Sequence, residues 1–414
     1  MKKILFIFIL LLSISSFLIQ TYSNKETQNS SPQEFSKNRV RDSLDANDLL
    51  LPLFESKLPW VTHNENYHNY MLVDKNKLLI NPLAWEAREK GINLNTPPID
   101  TTKSAPSLAV ALQNPLEIEE LCIGLKERNL TSIPDEIVEL KNLKKIFIKN
   151  IIFKDFSKDI EKLSKLSKLT SIDIVACSIT HIPSNISLLK SVEVLSFHHT
   201  KFSNLPEEFC DLENLLYLNI REAQALTKLP QNFGKLKKLE YLEIVRTRIT
   251  SLPESIGECK NLLHINLISN NLNKLPSNFG NLENLSYLTL ANNKLSNLPE
   301  SFGQLRRLRI VDISNNQITD LPKNLSSMTN LITFWLVKNK LNKFPNSIID
   351  LKKLSGLYIT KNNINFIPYD LAKNTSIEQL KIEKENLPKD NIDSLKAYKP
   401  DLQVFTHTEE LRKR

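Results

Sequence analysis

The stretch NLLHINLISNNLNKLP, residues 261–276, is followed by NLSYLTLANNKLSNLP at 284–299 and by RLRIVDISNNQITDLP at 307–322. All three reduce to one pattern, LxxLxLxxNxLxxLP. The apolar residues of its LxL core alternate with period two, which marks a strand with one face inward. A single unit of this size cannot bury its own apolar face, so the pattern requires stacked neighbours of the same kind. Those neighbours exist. Pro183, Pro206, Pro230, Pro253, Pro276, Pro299, Pro322, Pro345 and Pro368 follow one another at 23 residues, with a single step of 24. Each is preceded by Leu, Ile or Phe, and several are followed by a second half of the form xxIGxL or a relative, such as ESIGEC or SNFGNL.

Stacking would lay the strands side by side at about 4.8 Å, and each fully buried Leu or Ile then contributes roughly 1.5–3 kcal/mol. The alternate positions of LxxLxL face away from that core and fall into three outward columns. Tyr217, Tyr241, His264 and Tyr287 follow one another in the first column, and Trp335 and Tyr358 form a second aromatic pair in the middle one. Exposed Tyr and Trp are enriched where proteins bind, but aromatic neighbours across strands also simply support a sheet. Both readings of this ridge are open at the level of sequence. Asp173, Glu243 and Asp312 share the middle column several strands apart, too far to act as a carboxylate pair. Adjacent residues diverge on a strand, so His198 faces outward and His199 leaves at the strand exit, with no shared metal.

The pattern resembles the leucine-rich repeat family, in its 23-residue type with an LPxxIGxL second half, over roughly residues 118–383. The entry segment SLAVALQNPLEIEELCIG (107–124) is similar to the cap helix and first strand of bacterial exported leucine-rich repeat proteins. The resemblance implies an α/β fold: a right-handed solenoid, or horseshoe. It would carry a curved parallel sheet of about 11–12 strands on the concave face, with short helical, 3-10 or irregular segments on the convex face. It also implies a structural asparagine ladder at Asn270, Asn293, Asn316, Asn339 and Asn362, whose amides would satisfy backbone groups where the chain turns off each strand. Earlier repeats carry Cys177, Thr200, Ala223 and Thr247 instead, so the ladder is expected to be weaker there.

Register slips toward the N-terminus. Pro134 marks an early repeat, and Ser157 stands at the proline position 23 residues later. The tripeptide LSK then occurs twice, at 163–168, as an apparent insertion, and one extra residue near Glu222–Ala225 accounts for the step of 24. Residues 105–117, with SLAVALQN ended by Pro115, are expected to form an N-terminal cap helix, and residues 384–414 a C-terminal cap and tail. Glycine is scarce, at 7 residues, so asparagine is expected to take the left-handed turn positions.

Ahead of the array, Lys2 and Lys3 precede the apolar run Ile4–Leu12, so residues 1–23 read as an export signal or, uncleaved, as an N-terminal anchor. Residues 24–48 read as a polar linker, and 49–104 as a small segment of unknown role with Trp60, Trp85 and a helix at 81–92. The expected location is therefore the periplasm, cell surface or exterior.

Net charge is +8, with the basic residues dispersed in segments such as KLKKL (235–239), a solvated face without the aromatic interleaving that nucleic-acid binding needs. Cys122, Cys177, Cys210 and Cys259 form no close pair, which excludes a cysteine metal site and fits buried thiols. No phosphate loop, metal spacing or nucleophile elbow is present, so no cofactor is implied and the chain reads as non-catalytic. The expected function is protein binding on the concave face. Glycan binding through the aromatic ridge is the alternative, and an enzyme site in the N-terminal segment is a distant third.

Overall fold

The computed structural model describes residues 103–405, apart from Leu125, Arg128, Lys384 and Glu385. The export-signal, linker and helix 81–92 readings lie outside the described residues. The chain divides into two units at Pro106 and Ser107. The described end of the first unit carries the two-residue strand β1 (Ser104–Ala105). The second unit holds the array. No helix of the described residues is long and apolar enough to cross a membrane.

Each repeat opens with a strand, because that is where its apolar residues alternate. The strands are β2 (Glu120–Ile123), β3 (Lys145–Lys149), β4 (Ser171–Val175), β5 (Val194–His198), β6 (Tyr217–Arg221), β7 (Tyr241–Val245) and β8 (His264–Asn266). They continue with β9 (Tyr287–Thr289), β10 (Ile310–Asp312), β11 (Thr333–Trp335), β12 (Gly356–Tyr358), β13 (Gln379–Lys381) and β14 (Gln403–Phe405). From β2 to β14 they pair in parallel and in chain order. Strands β2 to β13 come from the repeats, and β14 is added by the C-terminal segment. The register aligns the columns residue for residue: Tyr217 opposite Tyr241, Tyr241 opposite His264, His264 opposite Tyr287, and Trp335 opposite Tyr358.

The core lies between this sheet and the convex segments. Strand residues such as Leu242, Leu288 and Leu357, and Phe233, Ile256, Phe279 and Phe302 of the second halves, are all fully or almost fully buried. Most convex segments are 3-10 turns entered directly after the repeat proline, as at Ser184–Leu188, Glu254–Glu258 and Glu300–Gln304. The glycine of the IG motif permits close stacking. A Cβ on Gly280 would lie 1.8 Å from Ser301 O, and one on Gly303 would lie 1.9 Å from Asn324 O.

The doubled LSK has a local consequence. The convex segment there is an α-helix, α2 (Phe156–Ser164), capped by the Asp155 carboxylate, which accepts from Ser157 N–H at 3.1 Å. The extra residue of the 24-residue step is absorbed in the turn closed by Leu226 N–H to Ala223 O. The N-terminal cap helix is shorter than expected. Helix α1 spans only Leu108–Ala111, because Gln113 and Asn114 bond to carbonyls three residues back and tighten the chain into turns. Past β13 stands α3 (Lys389–Tyr398), which buries Ile392 and Leu395. Both irregular helices hold the array by one buried polar group. Asp159 of α2 accepts from Ile133 N–H at 2.7 Å, and Asn391 of α3 bonds both Ile367 N–H (2.8 Å) and Ile367 O (2.9 Å).

The left-handed turn positions overturn one expectation. Residues with positive φ stand at every strand exit from Asn150 to Lys361, and only Asn150, Asn292 and Asn315 among these are asparagine. The others are Ala176, His199, Glu222, Arg246, Ser269, Lys338 and Lys361. Paired backbone dictates the conformation whatever the residue, since the N–H of each from Asn150 to Lys338 donates to a carbonyl of the following repeat. A left-handed residue with a Cβ costs about 1–2 kcal/mol. Replacing exposed Lys338 (φ 57°) by Gly is therefore expected to raise stability by about 1 kcal/mol in urea titration.

Candidate functional site

The concave face is built from the outward columns of β3 to β12. In its first column the rings of Tyr217, Tyr241, His264 and Tyr287 stand in file, with centroids 6.1, 6.3 and 6.4 Å apart. At that spacing the rings cover one another, and each of the four residues is under a tenth exposed. Trp335 and Tyr358 stack at 5.4 Å, with Lys381 Nζ 5.5 Å from the Tyr358 ring and the Tyr358 hydroxyl donating to Gln379 at 2.9 Å. Tyr358 is only 2% exposed, and its ring lies 3.0 Å from where a Cβ on Gly356 would sit. The two aromatic groups belong to the same face but lie on separate sets of strands, β6–β9 and β11–β12. What they offer to a ligand is ring edges more than open ring faces.

Beside the rings runs a polar column. Asp173, Ser196, Asn219, Glu243, Asn266, Thr289 and Asp312 occupy successive strands from β4 to β10. Arg221 in the third column ties its middle: Nη2 donates to Glu243 at 2.5 Å and Nε to Asn219 at 3.2 Å. Its flanks are not tied. The buried atoms Ser171 Oγ, Asp173 Oδ1, Ser196 Oγ, Asn266 Nδ2 and Trp335 Nε1, and both ring nitrogens of His264, make no hydrogen bond among the described residues. Burial pushes Asp173 up to about 7 and Asp312 up to about 6, the latter moderated by Ser314, whose N–H donates to it at 2.9 Å. Burial also pushes His198 down to about 3, aided by neighbouring Arg221, and lowers His264. The two adjacent histidines diverge. His198 Nε2 lies 3.9 Å from Asp173, while His199 meets Glu222 at 2.9 Å. That contact, with Arg246 at 2.8 Å, holds Glu222 down at about 2.

The asparagines are placed behind this face, where the chain leaves each strand. Asn316 shows the pattern: Leu295 N–H donates to its Oδ1 at 3.0 Å, and its Nδ2 donates to Leu290 O (2.9 Å) and Ile313 O (3.0 Å). Asn270, Asn293, Asn339 and Asn362 bond in the same manner across neighbouring repeats. In the earlier repeats Cys177 accepts weakly from Ile151 N–H at 3.4 Å, and the buried Thr200 Oγ1 makes no hydrogen bond.

A second polar ladder at the strand entrances was not singled out from sequence. Asn142, Asn214, Asn261, Asn284 and Asn330 each donate to a carbonyl of the preceding repeat, at 2.6–2.9 Å. Lys168, Lys238, Arg307 and Lys353 fill the same position elsewhere and donate back to the asparagine before them. The signal was present: each stands three residues before its strand.

All four cysteines are buried and unpaired, and burial pushes Cys177, Cys210 and Cys259 up to about 12, where the thiol stays protonated. Among the described residues no group of three or more His, Cys, Asp or Glu is placed to hold a metal ion.

Known proteins place this geometry. A family model described as leucine-rich repeat region matches residues 153–247 and 226–307, and a second, leucine rich repeat, matches 306–364. No curated protein matches the chain. Among solved structures, an internalin (inlF) from Listeria monocytogenes is 23% identical, with 67% of this chain and 78% of that one covered and a TM-score of 0.55. A chain of the Toll–Spatzle complex from Drosophila is 20% identical, covering 70% of this chain and 43% of that one, with a TM-score of 0.56. A Leptospira interrogans leucine-rich repeat protein is 23% identical over 73% of this chain and 99% of that one, with a TM-score of 0.36. Period, parallel stacking in register and family models agree, and the chain belongs to the leucine-rich repeat family.

Proposed function

We propose that this protein is a non-catalytic binding module that holds a protein partner on the concave face. The observation that carries this reading is a set of buried polar atoms in this column, Asp173 Oδ1, Ser196 Oγ and Asn266 Nδ2, that make no hydrogen bond among the described residues, set beside a file of aromatic rings on one face of the sheet. Unsatisfied buried polar groups are destabilising, and a partner's backbone and side chains supply the missing bonds. Solenoids use such extended concave surfaces for recognition. The contact residues in this reading are Tyr217, Tyr241, His264, Tyr287, Trp335 and Tyr358. A glycan is the second candidate, but sugars pack on open ring faces, and these rings turn theirs toward one another. Export through residues 1–23 completes the proposal.

The test is affinity for a partner captured with the full chain as bait and then purified. The double variant Tyr241→Ala, Tyr287→Ala is expected to keep the wild-type circular dichroism and bind at least tenfold more weakly. Lys237→Ala with Lys260→Ala, on the convex side, is expected to leave affinity unchanged. The reading fails if the tyrosine variant binds as well as wild type.

A further inference from the structure

The exits of β5 and β6 are held differently from those farther along. From β8 to β12 a buried asparagine at each exit donates to a carbonyl of the preceding repeat. The tie begins at the exit of β7, where Thr247 N–H donates to Asn270 at 3.1 Å. At β5 and β6 the corresponding positions are Thr200 and Ala223. Thr200 Oγ1 is buried and makes no hydrogen bond among the described residues, and Ala223 has no polar side chain to offer. Phe202 precedes Ala223 as Leu295 precedes Asn316. It is fully buried, and its N–H makes no hydrogen bond among the described residues.

The backbone between strands does not make up the difference. His199 N–H to Arg221 O and Glu222 N–H to Val245 O, both 3.0 Å, match Asn292 N–H to Ser314 O at 3.0 Å. What spans these exits instead is charge. The left-handed residues there are His199, Glu222 and Arg246. Glu222 stands between the other two, with His199 Nδ1 at 2.9 Å and Arg246 Nη1 at 2.8 Å. Farther along, the same slots carry Ser269, Asn292 and Asn315, joined by neutral hydrogen bonds in front of the buried ladder.

The opposite rim keeps its ties through this section. Ser191 donates to Leu169 O at 2.7 Å, and Asn214 to Lys190 O at 2.8 Å. The two rims therefore differ in kind. The three charged side chains are 25–40% exposed, and ion pairs open to water are weak and screened by salt. A buried amide hydrogen bond carries no net charge for salt to screen.

We propose that His199, Glu222 and Arg246 form a salt-sensitive latch that closes the exit side of β5–β7 in place of the asparagine ladder. This section then opens on its exit side, hinged at its strand entrances, while the repeats beyond it stay closed. The proposal is independent of what the concave face binds.

Hydrogen exchange on the full chain, resolved to single amides and corrected for intrinsic rates, tests it. In low salt the amides of His199 and Glu222 are expected to exchange at least about tenfold faster than those of Asn292 and Asn315. Raising salt from about 0.1 M to about 1 M shortens the Debye length from about 10 Å to about 3 Å, and should speed the first pair at least about threefold while leaving the second unchanged. Glu222→Gln is expected to exchange in low salt as wild type does in high salt, and to lose the salt response. Thr200→Asn, which offers the ladder its missing amide, should slow exchange at His199 and make it indifferent to salt. Equal exchange at the two pairs, or a Glu222→Gln chain that keeps the wild-type rate and salt response, overturns the latch. So does a folded Thr200→Asn chain that exchanges as wild type. An equal salt response at Val194 and Tyr217, whose amides bond at the strand entrances, would mean that the whole section unfolds and overturns the hinge.

Discussion

At pH 8 a chain carrying Asp173→Asn should resist urea better than wild type, by on the order of 4 kcal/mol, and at pH 4 the difference should vanish. The carboxyl is 4% exposed, and burial holds it at about 7 against an ordinary 3.8. Each unit between those values is about 1.36 kcal/mol of preference for the protonated form. Below 3.8 both folded and unfolded chains carry the proton, and Asp173 is no burden. Between 3.8 and about 7 the folded state keeps a proton that the unfolded state has released, so stability declines as pH rises and then levels off. Asp312, raised to about 6, adds a decline of the same sign over a narrower window. His198 and His264, whose values are lowered, act in the opposite direction: their contribution is present above the ordinary histidine value and is lost as pH falls. They are common to both proteins, so the difference between variant and wild type isolates Asp173. Equal urea midpoints at pH 8 would mean the carboxylate is solvated after all.

The asparagine ladder carries the second large effect, in the other direction. Asn316→Ala should destabilise the protein by about 1–3 kcal/mol, the loss for one buried group left without its partner. Leu295 N–H loses its acceptor, while Leu290 O and Ile313 O lose one donor each and keep the bonds from Asn293 and Asn339. Thr200→Val, at the corresponding position of an earlier repeat, should change stability by no more than about 0.5 kcal/mol, because its hydroxyl makes no hydrogen bond to lose. Amide hydrogen exchange at Leu295 reads the first effect locally. If Asn316→Ala leaves that amide protected and the two substitutions cost the same, the ladder is not what closes these turns.

The strands and their register were legible because alternation and period are both written in large apolar residues, and a stacked array allows one alignment of Leu242, Ile265 and Leu288. The left-handed turn slot was not, since Ala176, Glu222 and Lys338 occupy it as readily as Asn292. There the stacked backbone overrides the residue's own preference. The aromatic columns were legible as positions but not as surfaces. Alternation says which side Tyr241 faces, while how much of it water reaches depends on Tyr217 and His264 a strand away. Asp173 was visible only as one of three distant carboxylates. Its significance depends on what lacks a partner nearby, and no single sequence displays that. The shortened α1 and the polar ladder at the strand entrances show the same limit, since both depend on backbone groups that every residue carries.

Helix α2 makes the solenoid an arch of unequal stones. An α-helix is about 10–12 Å across, strands stand about 4.8 Å apart, and the 3-10 turns behind most other strands are slimmer. Between β3 and β4 the outer edge is therefore broader than its neighbours, and the inner edge must bend harder there. That is the place where Asp173 faces Phe147. A change confined to the outside of the arch, such as deleting one LSK, would thus re-aim the groups on its inside without altering any of them.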